Sequence, residues 1–138
     1  MIKIKKIKSK FINKEKVKKI SLRAYSYYLE IYGCNITVIF GSKNLEKYNK
    51  LFDRGSCDAI CVDYLKTHHG EIVLFFKDNP KMRSISHECV HACNMIFEHI
   101  GYQYTHEGDE INAYLTGHLV AIVLKAKKKY NKGSKNND

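Results

Sequence analysis

Two histidines four residues apart enclose a glutamate in the run His87-Glu88-Cys89-Val90-His91. On a helix, residues i and i+4 lie on one face, one turn above the other. Two imidazoles so placed can bind one Zn²⁺, and the carboxylate beside the first can reach a metal-bound water and act as general base. Three fixed positions in five also arise by chance, so the surroundings have to support the chemistry.

The surroundings read as a helix. Between Ser84 and Ile100, the residues Ile85, Cys89, Val90, Cys93, Ile96, Phe97 and Ile100 recur at helical spacing. Ser86 reads as an N-cap or first-turn residue, Pro80 lies ahead of the helix, and Gly101 marks its end. The competing reading makes His87 and His91 ordinary helix side chains and puts Glu88 on the surface.

A catalytic zinc takes three protein ligands and keeps one position open. The longer pattern HExxHxxGxxH is excluded, because Asn94 stands in place of its glycine and Phe97 in place of its last histidine. A carboxylate from a following helix is the other route. A second helix is expected from about Asp109 to Lys129, capped by Gly108 or Asp109 and ending in lysines that suit its dipole. Ala113, Gly117 and Ala121 form a stripe of small residues that would let two helices approach closely. Glu110 is in phase with that stripe and is the favoured ligand. Glu107 and Asp109 are rivals, His106 a weaker one; the ordinary fate of such residues is a solvated loop or cap.

HExxH followed on the next helix by Glu110-x-x-Ala113-x-x-x-Gly117 resembles the small gluzincin-type zincins. It is particularly similar to short HExxH proteins encoded by bacteriophages and mobile elements. Those read His-Glu-Cys-Val-His-Ala and then Asp-Glu-x-x-Ala-Tyr-Leu, matched here by His87 to Ala92 and Asp109 to Leu115. The resemblance covers the C-terminal half and extends to the N-terminal half only by element order. It implies a Zn²⁺ held by His87, His91 and Glu110, with Glu88 as catalytic base. Larger gluzincins often carry an aspartate four residues after the ligand glutamate; Tyr114 stands there in this chain. Tyr114 and His118 are candidates to stand behind the metal ligands or to steady an oxyanion.

With 138 residues the chain suits one domain, read as 1–130 with a disordered tail at 131–138. The net charge is +10 and its lysines crowd both ends. They read as a solvated basic surface; contact with nucleic acid is conceivable, but no motif marks a specific site. No apolar run is long enough to span a membrane and no secretory leader follows the basic start, so a cytoplasmic location is expected, in the host cytoplasm if the chain is phage-encoded. Five cysteines, an odd number, fit reduced thiols. Cys57 and Cys61, if in one strand, lie about 13 Å apart and could not share a metal. Cys89 and Cys93 read as core residues facing away from the histidines, and His68-His69-Gly70 reads as a turn.

The remaining elements have to position this site. Alternating Ile2, Ile4 and Ile7 suggest an edge strand or an arm. Ser21 to Tyr32 reads as a helix through Leu22, Tyr25, Tyr28, Leu29 and Tyr32. Strands are expected at Asn35–Phe40, Ala59–Leu65 and Glu71–Phe76, with a helical turn or loop at Leu45–Phe52. The order suggests an α+β domain of minimal zincin-like form, with a small antiparallel or mixed sheet and helices on one face. By analogy, Glu71–Phe76 is the strand beside the zinc that would take an extended peptide. The leading expectation is a zinc-dependent metallopeptidase acting on a peptide or protein. The alternatives are a non-catalytic zincin-like metal-binding module in phage assembly or host interaction, and a basic nucleic-acid-associated protein with a fortuitous HExxH.

Overall fold

A computed structural model describes residues 18–19, 23–51, 57–67, 70–103 and 105–135. Five strands, β1 (Lys18–Lys19), β2 (Ala24–Leu29), β3 (Cys34–Phe40), β4 (Ala59–Tyr64) and β5 (Glu71–Phe76), form one mixed sheet in the order β1-β2-β3-β5-β4. β3 and β5 run parallel, with Val38 opposite Leu74; the other pairings are antiparallel. Three helices complete the α+β fold: α1 (Ser42–Leu51), α2 (Met82–Ile100) and α3 (Asp109–Lys135). A 3-10 turn, His106–Gly108, leads into α3. Among the described residues, no helix is long and apolar enough to cross a membrane.

Alternation along the strands sorts the side chains onto two faces. Ile36, Val38, Phe40, Ile72, Leu74 and Phe76 point to one face and pack with Ile85, Cys89, Ile96, Leu119 and Ile122 of α2 and α3. Ile39, Val73 and Phe75 point to the other, where Leu45 and Tyr48 of α1 cover them. Helices therefore lie on both faces, not on one. From Leu45 to Leu51 the expected helical turn or loop is part of α1, which buries Leu45, Tyr48 and Asn49 and exposes Lys43, Glu46, Lys47 and Lys50; Phe52 lies outside the described residues.

Two expectations are corrected. Residues Ala24–Leu29 form a strand, not a helix. Tyr25, Tyr27 and Leu29 alternate as well as they fit a helical stripe, and pairing with β3, Tyr25 opposite Val38, decides in favour of the sheet. Glu71–Phe76 is an interior strand, so the open edge nearest α2 belongs to β4. The alternating isoleucines at 2, 4 and 7, His68 and His69 lie outside the described residues.

α3 continues through Lys135, past the start of the expected tail. Tyr130 explains the continuation. Its ring stacks on Phe40 with centroids 5.0 Å apart, and its hydroxyl donates to Asp78 Oδ1 at 2.7 Å. Asp78 Oδ2 also accepts the first N–H of α1, from Ser42 at 3.3 Å, and Arg23 Nη1 lies 3.8 Å from Oδ1. One carboxylate thus ties the start of α1 to the end of α3. The Tyr130 hydrogen bond is the main cause holding the Asp78 carboxyl below its ordinary value. A carboxyl with a lowered folded pKa contributes stability above its unfolded pKa and loses it as pH falls through the folded value. Tyr130→Phe should cost about 0.5–1 kcal/mol at neutral pH, the low end because Asp78 is half exposed. That difference should vanish on acidification below the carboxylate range. Urea melts of both proteins across pH check this, and an unchanged gap at acid pH would contradict it.

Candidate metal and catalytic site

α2 begins directly behind β5. Lys81 is its N-cap, without a side-chain bond, and Ser86 lies a turn inside the helix. Gly101 adopts φ 72°, the left-handed turn that ends a helix, with Tyr102 N–H donating to Phe97 O at 2.9 Å. The connection to α3 is tight: a Cβ on Gly108 would run into the Tyr102 hydroxyl, so a larger residue there would have to displace the Tyr102 side chain. Thr105 Oγ1 accepts Gly108 N–H at 3.2 Å and caps the 3-10 turn, so the capping role falls to Thr105.

The two histidines come together. Nε2 of His87 and Nε2 of His91 are 3.1 Å apart, with ring planes 77° from parallel. Two nitrogens on a tetrahedral zinc at 2.0–2.1 Å would stand roughly 3.3 Å apart, so the pair fits one metal ion. Both side chains are exposed. Glu88 faces inward and is only 8% exposed. Burial is the main influence on its carboxyl and raises it above the usual carboxylate range; His91, His87 and the Cys61 backbone pull the other way.

The flanks of α2 decide what else can reach the histidines. One flank meets β4, where the Cys61 thiol approaches Met95 Sδ at 3.5 Å. The opposite flank meets α3, where the Cys93 thiol donates to Asn112 O at 3.8 Å. His91 and Cys93 are two residues apart, about 160° on the helix. The histidine pair therefore turns away from α3.

The small-residue stripe faces outward. Ala113, Gly117 and Ala121 are exposed, and a Cβ on Gly117 would meet no atom within 4 Å. The helix contact is made instead by Leu115, Leu119, Ile122, Val123 and Ala126. Glu110 is nine residues from buried Leu119, about half a turn round the helix, and is exposed, as are His106, Glu107 and Asp109. Among the described residues, no three His, Cys, Asp or Glu side chains gather into a metal cluster. His87 and His91 thus meet a metal's demand for two donors; a third is not drawn to them.

Tyr114 is 76% exposed on the outer face of α3. The His118 ring meets Tyr27 of β2 edge-on, with centroids 5.6 Å apart. His118 is two residues from Thr116, which lies near Cys93, so it occupies the flank of α3 away from α2. Neither residue is brought to the histidine pair. Sequence reasoning missed the burial of Glu88 under the β4 edge. No periodicity marks it, because a carboxylate within the apolar stripe reads as a surface residue.

Cys89 and Cys93 are buried core residues, as their spacing suggests. Burial pushes the Cys89 thiol up to about 12 and the Cys34 thiol up to about 11. Cys57 is exposed, ahead of β4, and its thiol donates to Asn49 Oδ1 at 3.3 Å. Alkylation of the native protein at neutral pH should therefore modify Cys57 first and leave Cys34 and Cys89 untouched until denaturation. Peptide mapping checks this; labelling of Cys89 at the Cys57 rate would contradict it.

Comparison with known proteins finds no matching family model, no matching curated protein and no matching solved structure.

Proposed function

We propose that the chain is a zinc-dependent peptidase in which His87 and His91 hold the metal and Glu88 is the general base. The observation that carries this is the 3.1 Å approach of two Nε2 atoms on the helix that also carries a desolvated glutamate. Bound there, Zn²⁺ would supply Lewis-acid polarisation of a peptide carbonyl and of water. The task of this chain's own residues is proton transfer. A carboxylate withdrawn from water has a raised proton affinity, which suits Glu88 Oε to accept a proton from water and pass it to the leaving amine. The third ligand is proposed as a carboxylate at the start of α3, Glu110 first, with Glu107 and Asp109 as rivals. Its use requires that turn to move toward the histidines. In a phage-encoded protein the substrate would be a peptide or protein in the host cytoplasm.

A second reading is a metal-binding module without turnover, serving phage assembly or host interaction. It is favoured by the small exposure of Glu88, which withholds its carboxylate from substrate and water.

Elemental analysis tests the metal. The wild-type protein should carry one Zn²⁺ per chain and His91→Ala should lose it; equal, sub-stoichiometric zinc in both would overturn the reading. Loss of affinity in Glu107→Gln or Asp109→Asn, with full affinity in Glu110→Gln, would reassign the third ligand.

Glu88→Gln nearly keeps the side chain's shape but cannot accept the proton. It should retain zinc and fold normally, and lose hydrolysis of a diverse peptide pool by about a hundredfold or more. A variant as fast as wild type would refute the base assignment, and a fully zinc-loaded wild type that cleaves nothing would favour the second reading.

A further inference from the structure

The outer face of α3 is unusual for a helix side turned to water. From Ile111 to Leu124 the chain has no Asp, Glu, Lys or Arg. Exposed helix faces ordinarily carry charge. Along this face Glu110, Tyr114, Gly117, Ala121, Leu124 and Lys128 are all exposed and recur at alternating spacings of four and three. That spacing keeps one seam on one side of a helix and packs it against another at a shallow angle.

The seam is complementary to itself when reversed. Laid antiparallel against a second copy, Glu110 meets Lys128, Tyr114 meets Leu124 and Gly117 meets Ala121, and the two-fold axis repeats each pair. The acid stands at one end of the seam and the base at the other, so only the antiparallel arrangement matches the charges. The small residues fall at the centre, where the backbones come closest. Beside Leu124 is a depression of about 330 Å³, lined also by Lys127, Lys128, Asn131 and Lys132. It can receive the Tyr114 ring of the second copy, with lysine stems covering the ring's sides.

We propose that this chain forms a two-fold symmetric dimer through the outer face of α3. In the dimer Glu110 pairs with Lys128 of the second copy. The assembly does not depend on metal; because it engages Glu110, a metal bound in the dimer would draw its third ligand from Glu107 or Asp109.

Sedimentation equilibrium of the full chain, with a chelator present, tests the proposal. At about 100 µM, where modest interfaces are populated, the wild-type protein should have the mass of two chains. Gly117→Arg places a large charged side chain at the centre of the seam. A Cβ at Gly117 meets no atom within 4 Å in the single chain, so this variant should keep the wild-type circular-dichroism spectrum and sediment as one chain. Lys128→Glu sets like charges against each other and should weaken the dimer by about tenfold or more. Adding Glu110→Lys in the same chain restores opposite charges and should recover the dimer. A wild-type protein with the mass of one chain, a dimer that survives Gly117→Arg, or a double reversal that fails to recover association would each overturn the proposal.

Discussion

All six residues of β5, Glu71 to Phe76, are buried, and the rest of the structure answers that constraint. A strand buried on both faces needs hydrogen-bonding neighbours on both sides and cover above and below. β3 and β4 supply the neighbours. α2 with α3 and α1 supply the cover. Even its one charged residue is accommodated, because Glu71 Oε2 accepts a 2.6 Å hydrogen bond from the Thr37 hydroxyl across the parallel pair. Each fully buried Ile, Leu or Phe there contributes on the order of 1.5–3 kcal/mol. The chain leaves this strand and, six residues later, enters the helix that carries His87, Glu88 and His91. The candidate chemistry is thus mounted next to the least deformable part of the molecule.

What the sequence revealed depended on whether one pattern dominated. The continuous apolar run of β5 and the long helical stripe of α2 allowed one interpretation, and the expected ends of β5 hold to the residue. Ala24–Leu29 allowed two, because Tyr25, Tyr28, Leu29 and Tyr32 suit a helix while Tyr25, Tyr27 and Leu29 suit a strand. The partner that decides, β3, is invisible to a local window. The end of α3 was misread for a different reason. Lys, Asn, Gly and Ser after Tyr130 resemble a tail in composition, and the anchoring of Tyr130 on Phe40 and Asp78 is a long-range contact.

The same division holds within the candidate site. Spacing alone was enough to bring His87 and His91 together, since i and i+4 must meet on a helix. Which flank of α2 would face α3 was not legible, because it depends on how two helices share the space above a five-stranded sheet. Cys93 took the α3 flank and Met95 the β4 flank, which left the histidines toward solvent and Glu88 beneath the sheet edge. The small-residue stripe on α3 misled for a related reason. Small side chains permit close approach without saying which neighbour approaches.

The tie between the two ends of the fold has a consequence for synthesis on the ribosome. Tyr130 reaches back 52 positions to Asp78, and Lys127 reaches back 47 to donate to Pro80 O at 3.0 Å. Both contacts grip the short link between β5 and α2. The sheet and the histidine-bearing helix can therefore emerge from the exit tunnel well before the brace that fixes that helix's starting point. During that interval α2 has its β4 contact but not its α3 contact, and the apolar side that α3 will cover, with Cys89 and Cys93 on it, is open to thiol reagents and to chaperones.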